Sequence, residues 1–174
     1  AEIEQITDRA IAEGRIVNGV LEIPVVFNVL YRTASENISQ AQLQSQIDVL
    51  NADFQGLNSD YNAGNPYNSV RGALNVRFVL DNVVRKSTTK TSWGTNDAMK
   101  RTSSGGIAPT SPTTKLNYWV CTIGGGILGY AQFPSNSGLT GLNANGGSAN
   151  TDGVVAGYRF FGSSTLAAGN YSVP

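Results

Sequence analysis

The feature that most constrains this fold is a strand, glycine, strand pattern within residues 116–134, LNYWVCTIGGGILGYAQFP. Residues 116–123 are bulky or β-branched on both faces, which is typical of a central strand covered on each side. Three glycines at 124–126 then favour a turn, because glycine adopts backbone conformations that other residues avoid. Residues 128–133 predict a short strand before Pro134, and a proline there suits a sheet edge because it lacks a backbone donor. A buried strand followed by an edge strand is one way to build a peptide-binding cleft.

Length and composition predict one domain without a nucleic-acid or membrane partner. A chain of 174 residues is long enough for one hydrophobic core and too short for two. We therefore expect a single domain over residues 1–174, in which residues 1–19 are an N-terminal helix and turn. Twelve basic residues balance twelve acidic ones, so no charged face for nucleic acid or for a membrane surface is expected. No apolar run is long enough for a membrane span, and the abundance of Gly, Asn, Ser and Thr favours a secreted, extracellular protein.

The chain contains no histidine and a single cysteine, Cys121. Mechanisms that need histidine within this sequence are therefore excluded: the Ser-His-Asp triad, the Cys-His pair and His-ligated zinc. No serine lies in a G-x-S-x-G elbow, and GGGILG lacks the spacing and the lysine of a phosphate loop. Loop aspartates such as Asp97 and Asp152 are the remaining acid–base candidates, and turn or cap roles are favoured for them. Cys121 is either a buried small hydrophobe or half of a pair whose partner this chain lacks.

Hydrophobic periodicity predicts one clear helix and a mixed sheet. In residues 38–54, Ser39 is a good N-cap and Gln42 completes a capping-box pattern. One helix face is apolar and carries Leu43, Ile47, Leu50 and Phe54. Strands are predicted at residues 21–31, 74–86 and 153–161. Because a strand, a helix and a strand in this order favour a right-handed crossover, the expected fold class is α/β or α+β, with a mixed sheet and one helix across it.

Two polar features allow a functional interpretation. Asp53, Asn58 and Asp60 offer oxygen ligands within eight positions, so calcium is one interpretation, although the spacing matches no EF-hand loop. Capping and turn roles are favoured for the same side chains. Asn28 is polar within an apolar strand, and we expect either a core amide whose hydrogen bonds are satisfied or an amide that tethers a loop, rather than a functional group.

Several blocks of the sequence, in this order, are similar to one protein family. They are IPVVFNVLY, ISQAQLQSQIDVLNADFQGLNSD, VRFVL, TSWGTNDAMK, LNYWVCTIGGGILGYAQFP and TDGVVAGYRFFG. Together they resemble the N-terminal half of the cytophagalysin-like branch of the pappalysin zinc metalloendopeptidases. The resemblance implies a secreted, metzincin-type protease whose upper half is a twisted mixed β-sheet of about five strands, with a backing helix and an antiparallel edge strand. In that family the edge strand pairs with extended substrate, which implies substrate binding by Leu128, Gly129, Tyr130, Ala131, Gln132 and Phe133.

The sequence also departs from the family. The resemblance implies a zinc-binding helix with a long histidine motif, and the chain is expected to end at Pro174 just before it. No catalytic and no metal-binding residue is therefore carried over. Zinc is implied for full-length relatives and is not expected to bind to this chain, which should be inactive alone. Its expected partners are a peptide or protein substrate and the missing C-terminal half of the protease.

Three functions remain open from the sequence. The favoured one is the substrate-cleft-forming N-terminal part of a secreted zinc endopeptidase. The second is a non-catalytic peptide-binding or structural module derived from such a protease. The third is an unrelated enzyme that uses carboxylates alone, for example on glycans.

Overall fold

A six-stranded mixed sheet with one long helix packed against it forms the centre of the protein. The computed structural model describes residues 16–62, 70, 72–132 and 148–163, so the helix predicted near the N-terminus lies outside the described residues. The strands are β1 (Ile16–Val17), β2 (Val20–Tyr31), β3 (Val76–Ser87), β4 (Leu116–Cys121), β5 (Gly129–Ala131) and β6 (Val154–Gly157). The α-helices are α1 (Gln40–Phe54) and α2 (Ser59–Asn62). Short 3-10 turns occur at Ala98–Lys100, Thr102–Ser104, Ala149–Thr151 and Tyr158–Phe160.

Strand β2 lies at the middle of the sheet. Its residues 25–29 pair in parallel with both β3 and β4, so these two strands lie on opposite sides of β2. The sheet continues from β4 to β6 in parallel and from β6 to β5 in antiparallel orientation. Within the described residues, β3 and β5 are therefore the outermost strands. This topology confirms the predicted mixed sheet and its antiparallel edge strand.

Both faces of the central strands are covered, as their continuous apolar sequence predicts. On one face, α1 packs through Leu43 and Ile47 against a cluster that includes Phe27. On the other face, a second cluster forms around Trp119, and it contains Trp93 and residues of the long connection between β3 and β4. No helix of the described residues covers this second face, so the connection itself supplies the apolar side chains that exclude water.

The start of α1 confirms one capping prediction and corrects another. The Ser39 hydroxyl accepts a hydrogen bond from the Gln42 backbone N–H at 3.1 Å, as expected for an N-cap. The Gln42 side chain, however, does not complete a capping box. It is buried and donates to the carbonyl oxygen of Phe161 at 2.9 Å, because a carbonyl beneath the helix needs a donor that water cannot supply. Thus Gln42 joins α1 to the segment that follows β6.

Two predicted boundaries are wrong. The turn predicted at residues 14–19 includes strand β1, and the reversal is confined to Asn18 and Gly19, both with positive φ. The strand predicted at 153–161 ends at Gly157, and a 3-10 turn at Tyr158–Phe160 follows. That turn places the Phe161 ring against Phe27, so its apolar residues serve packing rather than a longer strand.

Among the described residues, no helix combines the length and the apolar character needed to cross a bilayer.

Candidate functional site

Strand β5 presents an open side at the edge of the sheet. The paired positions are Gly129 with Ala156, Tyr130 with Val155 and Ala131 with Val154. Next to this ladder, the Gly157 N–H donates to the Leu128 carbonyl oxygen at 2.8 Å. Hydrogen-bonded and non-bonded pairs alternate in an antiparallel ladder, so the backbone N–H and C=O groups of Gly129 and Ala131 point away from β6. No other strand of the described residues pairs with this side.

The structure brings five of the six predicted substrate-binding residues together along this edge. Leu128 precedes the strand and is 57% exposed, which is unusual for a large apolar side chain beside an unpaired edge. Gly129 and Ala131 are exposed, whereas Tyr130 and Gln132 are half-buried. Phe133 lies outside the described residues. Substrate binding by these residues stays a prediction.

At the opposite edge of the sheet, the start of β3 is capped by polar side chains of α1 and of its C-cap residue, Gln55. The Asn51 amide donates to the Phe78 carbonyl oxygen at 3.0 Å and accepts from the Phe78 N–H at 2.7 Å. One turn on, the Gln55 amide donates to the Val76 carbonyl oxygen at 2.9 Å. These side chains occupy backbone groups that β3 turns away from β2, and such groups would otherwise be available to a further strand. The two edges therefore differ, since the first residues of β3, Val76 and Phe78, are capped by α1 and its C-cap Gln55, and β5 is not capped by any described residue.

A buried polar group anchors β5 from below. The Tyr130 hydroxyl donates to the Asp97 carboxylate at 3.1 Å and lies 3.2 Å from the Met99 sulfur. Burial raises the pKa of Tyr130, and the neighbouring Asp97 carboxylate raises it further. Asp97 has a left-handed backbone, with φ at +59°, and forms a salt bridge of 3.0 Å with Lys100. The sequence predicted a turn or cap role for Asp97, and no sequence motif indicated its contact with the edge strand.

A cleft of about 520 Å³ opens at the carboxyl ends of β2, β4 and β6, where ligands commonly bind in open α/β sheets. Among the described residues that line it, the single acidic side chain is that of Glu36, which is buried. The Glu36 carboxylate accepts hydrogen bonds from two backbone N–H groups, those of Arg32 and Thr33, and from the Thr122 hydroxyl at 3.1 Å. These three donors hold the carboxylate in the wall of the cleft, so it closes the loop after β2 rather than acting as a base.

Cys121 also lines this cleft but is not a candidate nucleophile. Its side chain is a free thiol and fully buried. Burial raises the pKa of the Cys121 thiol to about 12, and the Glu36 carboxylate contributes. Because the thiolate is the nucleophilic form, the thiol stays protonated and unreactive near neutral pH. Within this chain Cys121 is packed as a buried small hydrophobe, and its pairing with a cysteine outside this sequence stays the alternative that the sequence left open.

The residues present do not fit a catalytic zinc ion. The chain has no histidine, and no group of three metal-binding side chains occurs in the described part of the chain.

At the calcium candidate, the Asn58 amide donates to the Asp53 carboxylate at 2.8 Å, and its oxygen accepts from the Tyr61 N–H at 2.9 Å. Asn58 thus caps the short helix α2, as the capping interpretation predicts. The Asp60 side chain lies outside the described residues.

Asn28 is a core amide whose nitrogen is hydrogen-bonded and whose oxygen is not bonded to any described residue. It is fully buried, and its amide nitrogen donates to the Asn117 side-chain oxygen at 3.3 Å. The Asn28 oxygen has no hydrogen-bond partner among the described residues. Asn117 in turn exchanges two hydrogen bonds with the Thr110 backbone, at 2.8 and 2.9 Å. The pair therefore ties the β3–β4 connection to the centre of the sheet, as the loop-tether alternative predicts, whereas the alternative of a satisfied amide holds for the Asn28 nitrogen only.

Comparison with known proteins gives matches among solved structures. No known family profile and no curated protein sequence matches the chain. Mirolysin in complex with compound 9 matches with a TM-score of 0.75 and 35% identity, covering 88% of this chain and 59% of that one. Tannerella forsythia mature mirolysin in complex with a cleaved peptide matches with a TM-score of 0.74 and 34% identity, covering 91% of this chain and 58% of that one. A promirolysin mutant from the same organism matches with a TM-score of 0.74 and 32% identity, covering 99% of this chain and 58% of that one.

The chain resembles the N-terminal part of a metalloprotease. Mirolysin is a metallopeptidase with a metzincin-type fold, and the identity extends over most of this chain. The chain spans slightly under three fifths of the length of the mirolysin structures that it matches. The metalloprotease relationship and the fold class predicted from the sequence are thereby confirmed. The pappalysin branch stays a prediction.

Proposed function

We propose that this chain is the substrate-holding N-terminal part of a secreted, zinc-dependent endopeptidase of the pappalysin family. The observation that carries the proposal is the open side of β5, where Gly129 and Ala131 direct backbone donors and acceptors outward. An extended peptide can add to such an edge through main-chain hydrogen bonds, largely independently of its sequence. A protease needs this mode of binding, because it holds the bond to be cleaved in an extended conformation.

The difference between the two sheet edges supports the choice of β5. Asn51 and Gln55 occupy outward backbone groups of Val76 and Phe78 at the start of β3, so a peptide there would have to displace hydrogen bonds that already exist. At β5 the exposed Ile127 and Leu128 adjoin the open edge and offer apolar surface to peptide side chains. The mature mirolysin that matches this chain was in complex with a cleaved peptide, which agrees with a peptide ligand here.

The zinc ligands are proposed to come from a C-terminal protease half outside this sequence, because this sequence has no histidine. In that arrangement β5 is one wall of the substrate-binding cleft, and residues of the C-terminal half bind the zinc ion. Calcium near Asp53 remains a secondary proposal, and the Asn58 cap supplies an alternative use for the same side chains.

Peptide titration tests the proposal. A blocked, extended hexapeptide is titrated into the chain by calorimetry, together with a copy whose alternate backbone nitrogens are methylated. We expect saturable binding of the first peptide and at least about tenfold weaker binding of the second, since each lost main-chain hydrogen bond weakens association by up to about tenfold. Equal binding of both peptides, or no binding of either, would contradict pairing at an edge strand.

A proline variant locates the binding to β5. In Ala131→Pro the outward N–H is lost, whereas the bonds between β5 and β6 stay, because Ala131 occupies a non-bonded pair. The control is Ala131→Ser, which keeps the N–H and adds one polar atom. We expect affinity to fall about tenfold for the proline variant and to stay within about twofold for serine. An unchanged affinity in Ala131→Pro would place the peptide elsewhere.

The non-catalytic binding module shares this edge-strand prediction and differs in the metal. Zinc analysis and a fluorogenic peptide assay on the longest natural polypeptide that contains this sequence separate the two functions. Stoichiometric zinc together with hydrolysis supports the endopeptidase. Peptide binding without zinc and without hydrolysis supports the module.

A further inference from the structure

Lys100 is a buried cation beneath the candidate peptide-binding edge. Its side chain is fully buried, and its ammonium group lies 3.0 Å from the Asp97 carboxylate. The same group donates to the Thr151 carbonyl oxygen at 2.6 Å. Burying a charge is costly unless it is paired and hydrogen-bonded. Lys100 therefore joins its own segment, which also carries Asp97, to the segment of Thr151, and movement of Thr151 would take a carbonyl acceptor away from the buried ammonium group.

The groups around Lys100 belong to the strands that carry the edge. Its ammonium lies 5.4 Å from the ring centre of Tyr130 in β5 and 5.2 Å from that of Trp119 in β4, within the range of cation–π attraction. Asp97 accepts the Tyr130 hydroxyl and pairs with Lys100, so it links the cation to β5 directly. Thr151 leads into β6 and also donates to the Gln132 side chain at 3.0 Å. The cation thus contacts both strands of the edge ladder, or residues next to them.

Strand β5 needs such support, because its ladder is short. It comprises three residues and pairs only with β6 among the described residues. A two-stranded pairing of this length is at best marginally stable by itself. Tyr130 is the one residue of β5 that is not exposed, and its side-chain contacts anchor the strand. Without them, its backbone could rotate or slip, and a slip by one residue would turn the outward groups of Gly129 and Ala131 inward.

We propose that Lys100, acting through Asp97 and Tyr130, is a positioning residue that holds β5 in the orientation required for peptide pairing. This inference rests on the proposed function of β5. Lys100 touches no peptide in this arrangement. Its effect on affinity is transmitted through the strand that it holds.

Lys100→Met tests the proposal, and Lys86→Met, at an exposed lysine, is its control. Lys86 donates to the Gly106 carbonyl oxygen at 2.9 Å, so it also holds the β3–β4 connection but does not contact β5. We expect Lys100→Met to weaken hexapeptide binding by about tenfold or more, because at least one charge-assisted hydrogen bond is lost. Lys86→Met should leave affinity within about twofold. Equal losses in both variants would overturn the proposal and make Lys100 an ordinary stabilising residue.

Amide hydrogen exchange provides a readout that needs no peptide. In Lys100→Met, the Gly157 N–H that bonds to Leu128 should exchange faster by a larger factor than the amides between β2 and β4. A uniform acceleration across the sheet would overturn the proposal, since it would report lost global stability. Faster local exchange together with absent peptide binding in the unaltered chain would refute the proposed function and leave the positioning role of Lys100 supported.

If the Lys100→Met variant does not fold, the Tyr130→Phe variant tests the same link between Lys100 and β5. It removes only the hydroxyl that donates to Asp97 and keeps the ring beside Lys100. We expect peptide affinity to fall about three- to tenfold, as for one hydrogen bond, with selectively faster exchange at Gly157. Unchanged affinity and unchanged exchange in this variant would overturn the link through Asp97.

Discussion

Substitution of Gly153 by alanine should destabilise the protein far more than an alanine substitution in the glycine-rich turn. Gly153 precedes β6 with φ at +124°, a conformation that side chains other than glycine rarely adopt. A Cβ atom there would lie 2.2 Å from the Asn117 carbonyl oxygen and 2.8 Å from a ring carbon of Trp119. Backbone strain of this kind costs about 1–3 kcal/mol, and overpacking in a closed core costs about 1–3 kcal/mol more. The expected loss in the free energy of unfolding is therefore about 4 kcal/mol.

The control is Gly125→Ala in the turn before β5. Gly125 also has a positive φ, +73°, but a Cβ atom there would meet nothing within 4 Å. Only the left-handed backbone penalty applies, about 1 kcal/mol. In equilibrium urea unfolding, with an m-value of about 2 kcal/mol/M, the midpoint should fall by about 2 M for Gly153→Ala and by about 0.5 M for Gly125→Ala. Midpoints that fall equally would refute the steric part of the reasoning.

Four further results are expected. Asn51→Ala should lower the free energy of unfolding by about 2–3 kcal/mol, measured by urea titration, because the Phe78 N–H and C=O lose their partners. The same variant should self-associate more in sedimentation, since it opens the β3 edge, and a strictly monomeric Asn51→Ala would argue against that role. Cys121 should not react with a thiol reagent in the folded chain at pH 8, and should react within minutes in denaturant. Its pKa is raised from 9.0 to about 12 by burial and by Glu36, so the folded state binds this proton more tightly. Its contribution to stability should be complete below pH 9 and be lost between pH 9 and 12. A midpoint for urea unfolding that rises over this range would contradict the assignment.

The main elements of the fold were predictable because their signals are local. The apolar run of β2 indicates a strand buried on both faces, and the spacing of Leu43 and Ile47 indicates the face of α1 that meets the sheet. Ser39 marks the start of that helix through a contact with a residue only three positions away. The segment around β5 also carries a local signal for an edge strand, because it is short, follows a run of glycines and is followed by a proline.

The functions of single polar residues were not predictable from the sequence, because their partners are distant in the chain. Gln42 matches a capping box but binds the Phe161 carbonyl, 119 positions away. Asn51 lies on the polar face of α1, and only the packing of α1 beside β3 turns it into a cap for a strand edge. Asp97 has the sequence context of a turn residue, and its role under β5 depends on a fold that brings residue 130 to it.

The sequence by itself determined five of the six strands, the main helix, the order of these elements and the absence of histidine chemistry within this chain. These properties depend on residue types and short-range periodicity, which sequence records directly. The tertiary structure alone decided which sheet edge is open. It placed Asn51 and Gln55 against β3, left the outward backbone groups of β5 uncovered by the described residues, and buried Lys100 beneath that strand. The difference between the two edges arises from long-range packing. The positions of α1 and of the β3–β4 connection determine which backbone groups at the sheet edges have hydrogen-bond partners.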